Sequence, residues 1–545
     1  MKGSNQRLFL LGTVLTLLRL TSLVAVLGAA ATASQSSIVD LGYSVYEGIT
    51  QSNGQNQFLG IRYAAPPLGD LRFRAPQPPL TTTGVQPATK FGCSCFGVAQ
   101  GLAEGLSEDC LFLNIWAPSG ATPESKLPVF FYIQGGGYRA NSNANYNGSE
   151  LVQFTENKMI FVALNYRVGP FGFLTSEKVK ENGDLNAGFL DQRFALEWVQ
   201  QHITKFGGNP GQVVLVGSSA GAGSIALHLI AFGGAPTNLF AGVIGISPFF
   251  PTQLLPSQLE WQFDLFASRA ECTESGDLLT CLRQQNSTTL QNANQNMPYP
   301  GRTSNSLFPF TPTIDGNLFP DFPYRLFEER KFVKVPSIFG DDTDEGTRFA
   351  PNASSPAEVG SFMQDNFPQL MDANTAEINA LYPKEAPFEN HAAFFPSAAA
   401  AFGETTFTCP GLEMSAVISQ HTKSWNYRYN VTTPEQIESG LGAYHTSELS
   451  NVFGPGNAPA GSSNSTFDFN DISLTPILQA YYTSFVRFLD PNVQTVNGSV
   501  FWPEFIPETN QRILLQVNAT TVETVPSSQL DRCRFWKGLA NRMQQ

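Results

Sequence analysis

Two adjacent serines stand where an apolar run meets a cluster of glycines, in the stretch VVLVGSSAGAGS at residues 213–224. The single G-x-S-x-G pattern of the chain lies here and is centred on Ser219. Where such a pattern joins a buried strand to a helix, the middle residue is strained and its side chain is pushed out of the end of the sheet. The residues two before and two after it must be very small, because strand and helix would otherwise collide. Glycine stands at both places only if Ser219, not Ser218, is the middle residue, so Ser219 is the candidate nucleophile; a glycine-rich corner without chemistry is the alternative.

A serine hydroxyl needs a base to become nucleophilic. The histidines of the chain are His202, His228, His391, His421 and His445. Scaffolds with this corner carry their residues in the chain order serine, acid, histidine, which removes the first histidine. The second lies nine residues past Ser219 on the same predicted helix, about 13 Å along its axis and too far for contact. The next two fall within helical patterns typical of packing or surface positions. His445 lies in a loop, GLGAYHTSEL, after a predicted strand, and such loops carry catalytic groups, so His445 is the candidate base.

The acid that orients the histidine should lie between Ser219 and His445, and one stretch there is rich in carboxylates. Residues 335–349 read VPSIFGDDTDEGTRF, an apolar strand followed by four carboxylates in five positions. The candidates are Asp341, Asp342, Asp344 and Glu345. Spacing does not choose among them, and three of the four are expected to form a solvated acidic turn.

The tetrahedral intermediate of acyl transfer needs backbone N–H donors that are already in place. Ala220, at the start of the predicted helix, supplies one. A second source is the triple glycine Gly135-Gly136-Gly137 in PVFFYIQGGGYRAN, where bare backbone can approach an oxyanion closely. A triple glycine can also be a flexible turn, but its place after a strand and upstream of the serine favours the oxyanion interpretation.

These residues need elements that hold them, and short apolar runs alternate with helical patterns along the chain. The predicted strands cover Ile38–Val45, Pro128–Ile133, Ile160–Tyr166, Val213–Val216, Gly242–Ile246, Val335–Phe339 and Ser424–Val431. The clearest helix runs from Asn186 to Ile203. This alternation predicts the α/β class, with a large, mostly parallel central sheet flanked by helices on both faces. Residues 355–408 and 472–489 predict helical insertions on that core.

The first 33 residues differ from the rest of the chain. Two positive charges precede an apolar run, Leu8–Leu27, and small residues follow up to Ala33. The pattern is typical of a secretory signal cleaved after Ala33. A membrane anchor is the alternative, but Arg19 interrupts the run and no second apolar span follows. We therefore expect an extracellular protein whose residues 34–545 form one domain. Seven N-x-S/T sequons fit a glycosylated protein of this kind: Asn147, Asn286, Asn352, Asn430, Asn464, Asn497 and Asn518.

The composition excludes several classes of protein. Hydrophobic residues make up 42% of the chain and charged residues 14%, which supplies a large core and does not fit a disordered chain. The formal net charge is −13, and an acidic surface repels phosphate backbones and anionic lipid. Neither nucleic acid nor a stable membrane surface is therefore expected as a partner, and the oligomeric state is left open.

Seven cysteines in a secreted chain predict disulfides and one unpaired thiol. Two pairs are near neighbours in sequence and a third would tie the C-terminal tail to the body: Cys95 and Cys110, Cys272 and Cys281, Cys409 and Cys533. Cys93 remains, and it could compete with Cys95. Metal binding is not expected, because C-x-C without a nearby histidine fits no zinc spacing.

Over essentially the whole mature chain, the sequence resembles the type-B carboxylesterase family, which includes cholinesterases and fungal lipases. The motifs that carry the resemblance are SEDCLFLNIW (107–116), QGGGY (134–138), NYRVGPFGFL (165–174), FLDQRFALEWVQQHITKFGGNP (189–210), GSSAG (217–221) and DEGTRF (344–349). Together they are highly specific. The resemblance implies an α/β-hydrolase fold and a Ser–Glu–His triad in a carboxylic ester hydrolase that needs no metal or organic cofactor.

Matching the motifs of the family to this sequence implies which of the four candidate carboxylates is the acid. Glu345 is the glutamate of D-E-G and is thereby implied as the acid, with His445 as the base and Glu448 as a further partner of the histidine. The implied oxyanion donors are the N–H groups of Gly136, Gly137 and Ala220. The disulfides that correspond to those of the family are Cys95–Cys110 and Cys272–Cys281.

The chain departs from the family at places that bear on electrostatics and substrate. The family usually has glutamate before the nucleophile, where this chain has Ser218, so a buried carboxylate near the site is missing. The loop between Cys95 and Cys110, FGVAQGLAEGLSED, has only fourteen residues and no tryptophan. Recognition of quaternary ammonium groups by cation–π contact is therefore not expected, and neither is a long mobile lid.

The favoured hypothesis is a secreted serine carboxylesterase with an open site for a small-molecule ester. Phe249 and Phe250, which follow a predicted strand, are candidates for the acyl pocket, with ordinary core packing as an equal alternative. Two other functions are weighed against it: a lipase that acts on longer-chain lipid esters, and a non-catalytic cholinesterase-like binding protein. Binding proteins of this kind usually lose a triad residue, and none is lost here.

Overall fold

The computed structural model describes residues 36–141, 146–273, 276–386, 388–457 and 473–545. The predicted signal segment, residues 1–33, and the sequon at Asn464 lie outside these ranges. None of the helices within them is both long and apolar enough to span a membrane.

Fifteen strands occur in the described part of the chain. They are β1 (Ser36–Asp40), β2 (Val45–Thr50), β3 (Gln55–Arg62), β4 (Val85–Pro87), β5 (Ser94–Cys95), β6 (Leu106–Ser107), β7 (Phe112–Pro118), β8 (Leu127–Ile133), β9 (Ile160–Leu164), β10 (Gly208–Ser218), β11 (Gly242–Ile246), β12 (Ser337–Asp342), β13 (Ser424–Tyr429), β14 (Gln511–Leu515) and β15 (Thr521–Thr524).

Seventeen α-helices occur in the same ranges. They are α1 (Ser149–Phe154), α2 (Gly169–Phe173), α3 (Glu177–Asn182), α4 (Ala187–His202), α5 (Ala220–Gly234), α6 (Glu260–Arg269), α7 (Leu278–Gln284), α8 (Ser287–Ala293), α9 (Pro323–Glu328), α10 (Pro356–Asn366), α11 (Asp372–Leu381), α12 (Phe395–Gly403), α13 (Cys409–Ser419), α14 (Pro434–Glu438), α15 (Leu449–Phe453), α16 (Thr475–Phe488) and α17 (Ser527–Met543). A π-helical turn, Glu404–Thr408, joins α12 to α13.

Thirteen of the strands form one sheet, in the order β1-β2-β3-β7-β9-β8-β10-β11-β12-β13-β14-β15, with β4 beside β2. The central strands from β9 to β14 in this order run parallel, and antiparallel strands extend both edges. Parallel neighbours need crossover connections, which the helices supply. The predicted mostly parallel sheet with flanking helices is confirmed.

Strand β10, near the middle of the sheet, shows why helices must cover both faces. Val213 and Leu215 belong to one hydrophobic cluster, whereas Val214 and Val216 belong to the other, and all four are fully buried. Successive side chains of a strand point to opposite faces, so a continuous apolar run marks a strand that is covered on both sides. The carboxyl ends of these parallel strands meet at one edge, which carries the candidate site.

The strand that precedes the candidate nucleophile is longer than predicted. Strand β10 extends beyond both ends of the predicted run Val213–Val216, because the chain already pairs with β8 at Gly208. Helix α5 begins at Ala220, directly after the candidate nucleophile. The connection between strand and helix therefore consists of one residue, Ser219.

The cysteines form the three predicted disulfides, Cys95–Cys110, Cys272–Cys281 and Cys409–Cys533. Cys93 is unpaired and half-buried, which decides the competition for Cys110 in favour of Cys95. The third bridge ties α17 to α13. Among the described sequons, the exposed asparagines are Asn286, Asn352, Asn497 and Asn518, and the half-buried ones are Asn147 and Asn430. Their glycosylation stays a prediction.

Candidate active site

The turn that carries Ser219 has the strained backbone that its sequence predicts. Ser219 has a φ of 56° and a ψ of −123°, and conformations of this kind cost a non-glycine residue on the order of 1–3 kcal/mol. A Cβ at Gly217 would lie 2.6 Å from the carbonyl oxygen of Gly221, and a Cβ at Gly221 would collide with the carbonyl oxygen of Ile133. Gly217 is therefore required by the close approach of β10 and α5, and Gly221 by the close approach of α5 and the end of β8.

The glycine loop, Gly135-Gly136-Gly137, runs directly past this turn. A Cβ at Gly135 would lie 2.8 Å from the Cβ of Ser219. Gly136 and Gly137 have φ values of +107° and +61°, which side chains rarely allow. Neither belongs to a strand or helix, and Ala220 is the first residue of α5, so these three N–H groups are not used by a regular backbone ladder. An oxyanion hole requires donors of this kind.

His445 and Glu345 meet at the same edge of the sheet. Glu345 opens a 3₁₀ turn that follows β12, and His445 lies in the loop after β13. One carboxylate oxygen of Glu345, Oε2, accepts a hydrogen bond from Nδ1 of His445. The other, Oε1, accepts the backbone N–H of Asp342 at 2.9 Å. With its proton held on Nδ1, the imidazole presents Nε2 as a base.

Nε2 of His445 is buried and has no hydrogen-bond partner within the described residues. The hydrogen bond from Oγ of Ser219 to Nε2 is accordingly not formed in this structure. Catalytic hydrogen bonds in unliganded sites are often long and tighten only when substrate binds. The side chain of Ser219 is half-buried, and rotation about its χ1 angle moves Oγ among three staggered positions.

One chain of hydrogen bonds connects the Ser219 turn to His445 along neighbouring strand ends. Ser219 donates its N–H to the carbonyl of Ile246, at the end of β11, over 2.8 Å. The next residue, Ser247, donates its hydroxyl to Oδ2 of Asp342, at the end of β12, over 3.4 Å. Asp342 also accepts the backbone N–H that follows His445, over 2.7 Å. The parallel strands thus bring together residues that are far apart in sequence.

A set of aromatic rings makes a second connection. Phe308 lies against the Cα of Gly137, and its ring centroid is 4.6 Å from that of Phe249. Phe249 stacks on Phe407 at 5.7 Å, and Phe407 lies 4.1 Å from the imidazole of His445. These three phenylalanines, the aromatic wall, form a continuous apolar surface from the glycine loop to the histidine.

The sequence predicted only part of this wall. Phe249 is in it, whereas Phe250 packs its ring on Tyr324 at 5.5 Å and does not join it. Phe308 and Phe407 were not predicted, because both lie outside regular strands and α-helices. Phe407 belongs to the π-helical turn, and such turns are frequent at functional sites, but the sequence carries no signal for one.

Burial sets the protonation of the acid and the base. It raises the pKa of Glu345 and lowers the pKa of His445, because a site away from water disfavours both charged forms. At His445 the negative charge of Glu448 opposes this shift and the positive charge of Arg348 adds to it. A neutral imidazole with a free Nε2 is the state that a general base needs.

The expectation of a solvated acidic turn at residues 341–345 is wrong. Asp341, Asp342 and Glu345 are at most 2% exposed, and Asp344 is half-buried. Asp341 lies 3.3 Å from Arg512, and Asp344 accepts a backbone N–H from the histidine loop at 2.9 Å. The carboxylates end an interior strand, where neighbouring loops cover them.

Across the described ranges, no group of three or more His, Cys, Asp or Glu side chains could hold a metal ion.

Ser218 stands where the resembled family usually has glutamate. Its Oγ lies 2.9 Å from the hydroxyl of Tyr132, and both side chains are buried. The ring of Tyr146 packs against Tyr132 with centroids 4.7 Å apart. A pair of neutral hydroxyl groups is therefore buried directly before the candidate nucleophile.

Comparison with known families and proteins identifies relatives over most of the chain. The model of the carboxylesterase family matches residues 35–536. Lipase 2 of Geotrichum candidum is 32% identical over 543 residues, which cover 89% of this chain and 92% of that protein. Secreted lipase 1 of Botryotinia fuckeliana is 33% identical over 501 residues, which cover 82% of this chain and 83% of that protein.

Among solved structures, EstA of Aspergillus niger has the same fold. The two structures superpose with a TM-score of 0.90 at 44% sequence identity, over 94% of this chain and 99% of that one. The predicted α/β-hydrolase fold is confirmed.

Proposed function

The chain belongs to the carboxylesterase family, and from this premise we propose that it is a secreted serine esterase with Ser219, Glu345 and His445 as its catalytic triad. Hydrolysis of carboxylic esters follows from the family and from relatives named lipases. The observation that carries the triad is the buried imidazole of His445. Its Nδ1 contacts Glu345, while Nε2 stays free at the edge of the sheet that bears Ser219.

In the first half of the reaction, Oγ of Ser219 attacks the ester carbonyl carbon while Nε2 of His445 takes the hydroxyl proton. The carbonyl π electrons move onto oxygen as the new C–O bond forms. The N–H groups of Gly136, Gly137 and Ala220 stabilise this oxyanion, and each lost donor typically costs about 10²- to 10³-fold in rate.

Collapse of the tetrahedral intermediate breaks the bond to the alcohol oxygen. That oxygen takes the proton from Nε2 of His445, and the acyl group remains on Ser219. Water then attacks the acyl group with His445 as its base, which releases the carboxylic acid and restores the serine. Throughout, Glu345 holds the proton on Nδ1 and stabilises the imidazolium. The mechanism uses no metal or organic cofactor.

Secretion is the cellular part of the proposal. The signal pattern of residues 1–33, the three disulfides and the exposed sequons support it. Several of the relatives are named secreted lipases. We expect glycosylation at the exposed sequons.

The substrates that fit best are small esters with short acyl groups. The aromatic wall lies between the glycine loop and His445, so it restricts the space around the ester carbonyl. The loop closed by Cys95–Cys110 has fourteen residues. Two of them, Phe96 and Val98, are each 6% exposed, so this part of the loop is packed into the core and is not free to act as a lid.

Labelling with an organophosphonate, followed by peptide mass spectrometry, tests the triad. We expect an adduct on Ser219 that is absent from Ser219→Ala and His445→Ala. Ser218→Ala is the matched control, because this neighbouring serine is buried against Tyr132, and its loss should leave the labelling unchanged. A label on a different serine, or none together with absent esterase activity, would favour a non-catalytic binding protein.

The names of the relatives favour a second candidate, a lipase for long-chain esters. A chain-length series of p-nitrophenyl esters, with and without micelles, separates the two. For the esterase, we expect kcat/KM to fall as the acyl chain lengthens, with no change at the micellar threshold. A jump in rate at that threshold would establish the lipase.

A further inference from the structure

Three buried carboxyls crowd the base of the loop that carries His445. Asp342, Glu345 and Glu448 are each at most 2% exposed. Glu345 is satisfied by the imidazole and a backbone N–H, whereas Asp342 and Glu448 take no part in the proposed reaction steps. Within the described ranges, neither Asp342 nor Glu448 forms an ion pair with arginine or lysine. Two buried carboxylates without a counter-ion are costly, so such groups retain protons instead.

Asp342 and Glu448 each use one oxygen in a strong contact. Oδ2 of Asp342 accepts the N–H of Thr446 at 2.7 Å, and Oε1 of Glu448 accepts the hydroxyl of Tyr427 at 2.8 Å. The remaining oxygens, Oδ1 and Oε2, are buried and find no donor among the described residues. Asp342 and Glu448 are neighbours whose side chains interact, and this contact raises the pKa of Asp342 and lowers that of Glu448. A proton shared between the two carboxyl groups gives each of these oxygens a hydrogen-bond partner.

We propose that Asp342 and Glu448 share one proton, and that this shared proton fastens the turn carrying His445 to the end of β12. Asp342 then holds the turn at two points, the N–H of Thr446 and the side chain of Glu448. Thr446 has a φ of +63°, an unfavourable conformation for a β-branched residue, so the turn depends on such ties. Both acids are positioning residues, and their effect on catalysis rests on the proposed esterase function.

The shared proton makes this tie sensitive to pH. Burial, together with the charges of Glu448 and Glu345, raises the pKa of Asp342 well above its ordinary value. Burial and Glu345 raise the pKa of Glu448 to about 7. The other titratable groups that face the pair are His445, Tyr427 and Tyr482. Because these carboxyls have higher pKa values folded than unfolded, their contribution to stability is complete below about pH 4 and is lost as the pH rises through 7.

Amide variants replace the shared proton with an N–H donor that cannot dissociate. In Glu448→Gln, the amide oxygen accepts from Tyr427 and the NH₂ group donates to Asp342. In Asp342→Asn, the oxygen accepts the backbone N–H and the NH₂ group donates to Glu448. Glu448→Leu removes the donor and leaves Asp342 unpaired. Glu438→Gln, which changes an exposed acid on α14, is the matched control.

Melting temperature and kcat for a short p-nitrophenyl ester are measured from about pH 5 to 9. We expect both amide variants to melt about 2 °C or more above the wild type at pH 8, and by less than half that at pH 5. Their kcat should stay within about threefold of wild type at pH 6 and rise relative to it by about threefold or more toward pH 9. Glu448→Leu should lose about tenfold or more in kcat with little change in KM.

Two results would overturn the proposal: amide variants whose melting temperature keeps a constant offset from the wild type at every pH, or amide variants that lose as much kcat as Glu448→Leu. If Glu448→Leu does not fold, the amide variants decide by their own pH dependence. If the wild type hydrolyses no ester, the proposed function fails, and the melting temperatures alone decide for or against the shared proton.

Discussion

The turn at Ser219 and the loop at His445 lie at the same edge of the sheet, but different forces hold them. At the serine turn, no Cβ fits at Gly217 or Gly221, so excluded volume restricts the strained backbone around Ser219. At the histidine loop, buried carboxyls hold the imidazole and the following N–H through hydrogen bonds. One half of the site is built by sterics and the other by buried polar groups.

This difference sets how each half responds to change. Excluded volume does not depend on pH, so the serine turn should be sensitive to an added methyl group and indifferent to protonation. The hydrogen bonds of the histidine loop join residues 100 positions apart or more, and they depend on which groups carry protons. That half should be sensitive to charge and pH.

We expect the largest difference in activity between alanine variants of the two adjacent serines. Ser219→Ala removes the nucleophile and should lower kcat by about 10⁵-fold or more. Ser218→Ala loses only a hydroxyl contact with Tyr132, so its cost should be about 1 kcal/mol of stability and little activity. Steady-state kcat and thermal melting measure both. Similar losses of activity in the two variants would mean that the turn does not select one serine.

Removing the charge of Glu345 should disrupt the histidine half of the site. Glu345→Gln places an amide NH₂ opposite Nδ1 of His445, which forces the imidazole proton onto Nε2 and removes the base. We expect kcat to fall by about 10⁴-fold with a nearly unchanged KM. Glu377→Gln, an exposed acid on α11, is the control. A loss below about tenfold would remove Glu345 from the triad.

A methyl group added beside Ser219 should destabilise the serine turn. The Cβ of Gly221→Ala collides with the carbonyl oxygen of Ile133, and overpacking of this kind typically costs about 1–3 kcal/mol. Gly538→Ala, in an open position on helix α17, should be neutral or stabilise by up to about 1 kcal/mol. Urea unfolding at two pH values compares them. A cost for Gly221→Ala that varies with pH would contradict the steric account.

The smallest effect that we expect is a pH-dependent change in stability at Asp344, which contacts the histidine loop. Asp344 accepts the N–H of Ala443 at 2.9 Å, and burial raises its pKa to about 6, although this N–H and Arg428 favour the charged form. Because the folded pKa is the higher one, stability from this group is complete below about pH 4 and is lost as the pH rises to about 6.

Asp344→Asn keeps an oxygen for the N–H of Ala443 without this loss. We expect its melting temperature to equal that of the wild type near pH 4 and to exceed it by about 1–2 °C at pH 7. Asp70→Asn, an exposed acid, serves as the control. A variant that melts lower than the wild type at pH 7 would show that the charge of Asp344 stabilises the loop.

The two halves also differed in how far the sequence predicted them. Ser219, its flanking glycines and the parallel sheet followed from residue size and apolar periodicity, and the structure confirms the steric requirement and the sheet. Phe308 and Phe407 were missed because no pattern links them to the glycine loop or to the histidine. The carboxylates after β12 were expected in solvent, because spacing in sequence does not report what covers a strand end.

The sequence by itself determined the alternation of strands and helices and the choice of Ser219 over Ser218, because these depend on apolar periodicity and on the size of the flanking residues. Residue spacing left open which carboxyl meets His445 and which cysteine pairs with Cys110; the family resemblance implied Glu345 and Cys95, and the tertiary structure brings these residues together and shows which acids are buried. Those outcomes depend on burial and on contacts between distant parts of the chain. Neither can be inferred from a local stretch of residues.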